Sequence, residues 1–231
     1  TLFRSTMAFF HVSTSEDQIK DRAESSYIRE SGIYDVIMKH ALYSKSPNGS
    51  EAIDLVIDYN GQEQTLWGAI RLTNNDGKPS YTAPLFNKLC IICGGEEGTE
   101  IADPVQVSLP FGKGGEAKDC LELEDLANIP IGIRIQLEYS IYNEEIRENK
   151  VVKNFFRSTD HATAQEIVNN VNFGNQYNEE QKLADKIVYK DNLTKEEIDN
   201  WKKERANRQQ EQKATQGTFK RRSFSRSNTP F

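Results

Sequence analysis

Residues 51–72 read EAIDLVIDYNGQEQTLWGAIRL, two runs of β-branched, aliphatic and aromatic residues joined by Asn60-Gly61. Asn-Gly accepts the positive φ angles of a two-residue type I′ turn, so the stretch predicts an antiparallel hairpin with strands at 51–59 and 62–72. Upstream, IYDVIMKHALY at 33–43 has the same composition and reaches the hairpin through Pro47-Asn48-Gly49. It predicts a third strand in front of the other two. Downstream, a polar loop at Asn74–Pro79 leads to Pro84–Cys93, where residues 85, 86, 89, 92 and 93 are apolar. That spacing marks one face of a helix, and Gly94-Gly95 ends it.

Further along, IGIRIQLEYSIY at 131–142 alternates, with Ile133, Ile135, Leu137, Tyr139 and Ile141 on one side and Arg134, Gln136, Glu138, Ser140 and Tyr142 on the other. Strict alternation predicts a half-buried strand. KVVKNFFR at 150–157 follows a polar turn through Asn143, Glu144 and Glu145 and would pair with it. Between these regions, residues 95–130 mix Gly, Glu and Pro with two short apolar runs, 105–109 and 121–126, and read as an insertion without an assigned architecture. Beyond Arg157 the pattern turns helical: 164–171 behind Thr163 with Glu166 as a capping box, then 179–189. A third helix starts at Leu193-Thr194, where Thr194 caps, Glu197 reaches back and Leu193 staples to Ile198. It is expected to run to about Gln209, anchored by Ile198 and Trp201. From Gln210 onward the polar composition predicts disorder.

Three meandering strands, a helix and a closing hairpin are the element order of a five-stranded OB-fold barrel, an architecture that binds oligonucleotides across its second and third strands. The fold class expected is therefore mainly β: an OB-fold-like barrel with an inserted region, C-terminal helices and a flexible basic tail. The corresponding boundaries are an N-terminal arm at 1–29, a single-strand-binding domain at 30–160, a helical extension at 161–209 and the tail at 210–231. Thr1–Thr6 precede Met7 and read as a cloning remnant, with Met7 as the natural start.

The 231 residues are 36% hydrophobic and 28% charged, which supports one domain with a real core plus excess polar length. A mean hydropathy of -0.70 and the lack of an apolar run near ~18 residues argue against a membrane helix. No N-terminal stretch has the zones of a signal peptide, so a soluble intracellular protein is expected. The formal charge of -6 is unevenly spread. From Lys202 onward nine basic residues face two acidic ones, a tail of +7 that leaves the rest of the chain at -13. Such asymmetry suggests a polyanion partner or a tail that docks on its own body.

With Leu66, Ile70 and Leu72 pointing inward, Thr65, Trp67, Ala69 and Arg71 would point out. Lys153, Phe155 and Arg157 would share one face in the last hairpin, beside Arg134 and Tyr142. Bases stack on aromatic faces while Lys and Arg follow the phosphates, so this interleaving fits sequence-tolerant single-strand binding. The candidate contacts are Trp67, Arg71, Lys78, Tyr81, Arg134, Tyr142, Lys153, Phe155 and Arg157, with Lys220, Arg221, Arg222, Arg226 and Phe231 as tail contacts.

Gly32-Ile33-Tyr34-Asp35-Val36, Asn48-Gly49 with Ile53–Ile57, Tyr81 with Leu85, Lys88, Leu89 and Gly94, and the closing Asn154-Phe155-Phe156 resemble the OB-fold single-stranded-DNA-binding proteins of tailed bacteriophages. The resemblance spans roughly residues 30–160. It implies a protein that coats exposed strands during phage replication, recombination or transcription, in the cytoplasm of an infected bacterial host. It also implies a C-terminal tail that recruits partners. In such proteins the tail is commonly acidic with a terminal aromatic; here it ends Thr229-Pro230-Phe231 but is basic upstream. That departure favours a second DNA contact, or an adaptor of the kind that brings a phage RNA polymerase or replication protein to its template. Phe219, Phe224 and Phe231 would add stacking contacts or anchor such a partner. A homo-oligomer is left open.

No enzyme is expected. The P-loop, the G-x-S-x-G elbow and H-E-x-x-H are missing, and Gly112-Lys113-Gly114-Gly115 reads as a loop. A metal-dependent nuclease using Asp54, Asp58, Glu122, Glu124 or Asp125, and an interaction module whose barrel is only scaffold, are the rival classes. No cofactor or metal is expected. Cys90 and Cys93 have CxxC spacing, but Cys120, His11, His40 and His161 form no second half-site, so reduced thiols on the 84–93 helix are the reading.

Overall fold

The computed structural model describes residues 27–110 and 115–222, from 209 on as backbone. Strand outweighs helix about two to one, 43% against 22%, so the protein is mainly β. Its strands are β1 (Gly32–Lys45), β2 (Glu51–Tyr59), β3 (Gln62–Arg71), β4 (Val105–Pro110), β5 (Ala117–Glu122), β6 (Ile129–Tyr142), β7 (Glu145–Arg157) and β8 (Val188–Tyr189). The helices are α1 (Pro84–Ile92), α2 (Ala164–Asn169), α3 (Asn175–Gln181) and α4 (Lys195–Arg222).

The expected turn chemistry is present. Asn60 and Gly61 take φ of 52° and 76°, and the Asp58 carboxylate accepts the Gly61 N–H at 2.8 Å. Asn143 and Glu144, at φ 50° and 65°, make the same kind of turn between β6 and β7. The ladders are antiparallel except for the short β6–β8 pairing.

β1 is the hub of the sheet. One edge pairs with β2. The other pairs first with β6 over Gly32–Met38 and then, beyond a bulge between Met38 and His40, with β5 at Leu42 and Tyr43. The bulge bends β1 so that one long strand serves two neighbours. Where β1 leaves β6, the exposed β6 edge is taken over: the Ser31 hydroxyl accepts the Leu137 N–H, β8 pairs alongside, and the Asp191 carboxylate accepts the Ile141 N–H. Edge groups that would otherwise recruit another chain are thereby satisfied.

The insertion at 95–130 is a hairpin, β4–β5, followed by one turn of 3-10 helix at Glu124–Leu126. The sheet thus has eight strands in place of the expected five. It is open: no ladder joins β3 to β7 among the described residues. Core side chains nevertheless come from β1, β2, β3, β6, β7 and α1, among them Met38, Leu55, Ile70, Leu89, Ile133 and Phe155. A second, smaller cluster joins Leu137 and Tyr139 of β6 to Ile198 of α4, with Leu193 and Trp201 packed against it.

The capping boxes at Thr163/Glu166 and Thr194/Glu197 both form. The helix expected at 179–189 is instead α3 at 175–181, followed by turns and β8. α4 continues as helix to Arg222, past the expected end at Gln209. The arm before residue 27, including the Met7 start, lies outside the described residues.

Candidate nucleic-acid interface

Trp67 is 65% exposed because β3 carries extra residues. Ile53 pairs with Ile70, but Leu55 pairs with Leu66, so Trp67, Gly68 and Ala69 together face Asp54 alone. The buried Asp54 carboxylate accepts the Gly68 N–H at 2.5 Å, and Gly68 sits at φ 58°. The left-handed glycine and the carboxylate hold the bulge, and the bulge pushes the indole outward. Ala69, expected to face out, is buried for the same reason. Beside Trp67 lies a groove of about 290 Å³ lined by Leu42, Tyr43, Gln106 and Leu121, with Asp54 and Asp119 at its wall. Its lining contains no Lys or Arg, so it suits the flat face of a base and not a phosphate.

Three more expected residues are on the surface nearby in sequence. Arg71 ends β3, where its backbone exchanges hydrogen bonds with the Thr82 hydroxyl at 3.1 and 2.9 Å. Lys78 pairs with Asp76 at 3.3 Å across an exposed loop. Tyr81 is 87% exposed, and Lys190 feels its phenol electrostatically. At the β6–β7 turn, Tyr142 is exposed with the Arg147 guanidinium 4.2 Å above its ring.

Four expected contacts are placed differently. Phe155 is wholly buried. The register shift between Arg134 and Ile135 leaves Lys153 unopposed on β7, so Val152 and Phe155, three residues apart, both face the core and the alternation reverses. Arg134 is not an open cation: it donates to Glu180 at 2.8 Å and to the Leu183 carbonyl at 3.2 Å. Lys153 is paired with Glu138 at 2.8 Å, and Arg157 is bonded to both carboxylate oxygens of Asp160.

Around Arg134 and Glu138, residues 175–190 lie over this face of β6 and β7. Asn154 donates to Glu180 at 2.7 Å, Gln136 to the Lys186 carbonyl at 3.2 Å, and Lys190 joins Lys153 on Glu138. Gln136 and Glu138, expected in solvent, are buried. Burial alone would raise the Glu138 carboxyl, but hydrogen bonds from Lys153 and Lys190 outweigh it and hold that carboxyl below the usual range.

Among the tail contacts, Lys220, Arg221 and Arg222 form the last turn of α4, while Arg226 and Phe231 lie outside the described residues. Burial pushes the Cys93 thiol up to about 12 and also raises Cys90, as suits thiols packed against the core. Among the described residues, no three His, Cys, Asp or Glu side chains gather as a metal set.

A second groove, of about 590 Å³, runs between Tyr27–Glu30, the start of β7 and the first turns of α4. It brings together Arg29, Lys150, Lys202 and Arg205 with Tyr27 and Trp201. In sequence, Trp201 reads as an anchor and Lys202 and Arg205 as tail charge, while Arg29 and Lys150 carry no signal of their own. Nothing local in the sequence links positions so far apart.

Compared with known proteins, the chain matches no family model and no curated sequence.

Proposed function

We propose that the protein is a sequence-tolerant single-stranded-DNA-binding protein built on an OB-type sheet. The observation that carries this reading is Trp67, an indole held out of the core by a bulge that costs a buried carboxylate and a left-handed glycine to maintain. A stacking platform requires an aromatic face held open to solvent in this way. Two further features support the reading. The strand path β3-β2-β1-β6-β7, with α1 between β3 and the later pair, is compatible with the OB order in an open sheet, and the second and third strands of that order are those on which OB proteins seat oligonucleotides. Tyr142 and Arg147 flank the turn between β6 and β7, which in an OB frame is another binding loop. From the resemblance to tailed-phage single-strand binders we infer the setting, coating of exposed strands in an infected bacterium. The basic end of α4 and the tail beyond it would add DNA contacts or recruit a polymerase or replication protein.

Titration against single-stranded and duplex oligonucleotides at several salt concentrations tests this. Preference for the single strand is expected, with log affinity falling against log salt by about 0.7 per phosphate contacted. Equal affinity for the duplex rejects it, and cleavage of the oligonucleotide with magnesium or manganese present would favour a nuclease.

A further inference from the structure

Cations outside any ion pair are common among the described residues, and the informative observation is that four of them meet in one groove. Arg134, Lys153, Arg157 and Lys190 are each taken up by Glu or Asp. Arg29, Lys150, Lys202 and Arg205, which line the second groove, have no ion pair among the described residues. Three of them lie over aromatic rings instead: Lys150 at 4.4 Å from the centre of Tyr27, Arg205 at 5.3 Å from Trp201 and Lys202 at 5.2 Å from Tyr139. The groove's own acids are Glu30 and Glu148, and Glu148 is engaged as acceptor of the Tyr139 hydroxyl at 2.6 Å. Its lining is therefore net positive.

The tertiary structure goes to some length to assemble it. Ile28 is buried in the main core and its N–H donates to Gln64 at 3.2 Å, which fixes Tyr27–Glu30 beside the sheet. Lys150 lies directly across from Leu137, whose side chain packs on Ile198 and so seats α4. Burial and the neighbouring Arg29 lower the Lys150 ammonium, with Glu148 a partial counterweight. A cation kept in such surroundings is stabilised by an incoming anion.

We propose that this groove is a second contact for the same single strand, holding its phosphates on Arg29, Lys150, Lys202 and Arg205. The proposal rests on the reading of the protein as a single-strand binder. It makes the first turns of α4 part of the binding surface.

The chain has two tryptophans, one beside each groove, so each reports separately. In a Trp67→Phe variant all indole emission comes from Trp201. Oligothymidylate is added to saturation, with binding followed in parallel by anisotropy of a labelled strand. The expected result is a change in Trp201 emission that tracks binding. Adding Lys150→Ala and Arg205→Ala should then weaken affinity roughly tenfold or more and lower the salt slope by about 0.7 for each phosphate no longer neutralised, with the melting temperature checked for each variant. Binding that leaves Trp201 emission unmoved and is indifferent to both alanines overturns the proposal while sparing the single-strand reading. Failure of the unsubstituted protein to bind the strand ends both. A response of Trp201 to polyglutamate without one to oligothymidylate overturns the proposal in favour of an acidic protein partner.

Discussion

Trp67 and Phe155 are both large aromatics on core strands, yet one is 65% and the other 0% exposed. Trp67→Ala removes little buried area, so its melting temperature should stay near that of the parent while oligonucleotide affinity falls by ~1 to 3 kcal/mol. Phe155→Ala opens a cavity in the core and should cost roughly 3 to 5 kcal/mol of stability. Paired melts and titrations check both; a large loss of stability in the Trp67 variant would remove it as a platform. Glu138 offers a second test. Its carboxyl sits below the ordinary range, so its contribution is complete above the unfolded-state value of about 4.3 and is lost as pH falls through the lower folded-state value. The parent should therefore lose melting temperature in acid, and Glu138→Gln, which cannot ionise, should show a flatter acid limb. Identical acid limbs would mean that the two lysines stabilise nothing through this group.

Among the elements, α4 depends on very little. Thr194 and Glu197 close its first turn, with the Thr194 N–H donated to the carboxylate at 2.8 Å, and Ile198 and Trp201 are its apolar contacts with the body. Residues 202–208 are all exposed. Ile198→Ala should cost about 2 to 5 kcal/mol locally and release the helix as a unit. Hydrogen exchange should then accelerate in α4 and at the Leu137–Tyr139 end of β6, with β1, β2 and β3 still protected. Uniform loss of protection would show that α4 and the main core unfold together. Thr194→Ala should act in the same direction by ~1 kcal/mol.

At the scale of the molecule, charge is the organising variable. The final thirty residues carry +7 against -13 for the remainder, and α4 carries part of that charge outward as helix to Arg222. Deleting residues 210–231 should lower both affinity and salt slope if Lys220, Arg221 and Arg222 contact phosphate, since fewer counterions are released. A rise in affinity would mean that the tail competes for the groove at high effective concentration. A groove that attracts phosphate repels a basic tail, so the fall is the expected outcome. Unchanged values would leave partner recruitment as the tail's role.

The sequence by itself determined the elements whose signals are local. Asn60-Gly61 specifies its turn through two positive φ angles, Thr163 with Glu166 and Thr194 with Glu197 specify helix starts, and the alternation of Ile133 to Tyr139 specifies an inward face. Trp67 was also legible as an exposed aromatic, although its cause was not. Only the tertiary structure decided what depends on partners distant in the chain. The Lys153 bulge reverses the β7 alternation because β6 pairs around it, and this moves Phe155 inside. Glu180 and Leu183 claim Arg134, and Lys190 adds a second cation to Glu138, because residues 175–190 return across a sheet face that looked open. Arg29, Lys150 and Arg205 meet in one groove through the burial of Ile28 and Ile198. Periodicity records which side a residue takes within its own element; which sides are then covered, and by what, follows from packing between elements far apart in sequence.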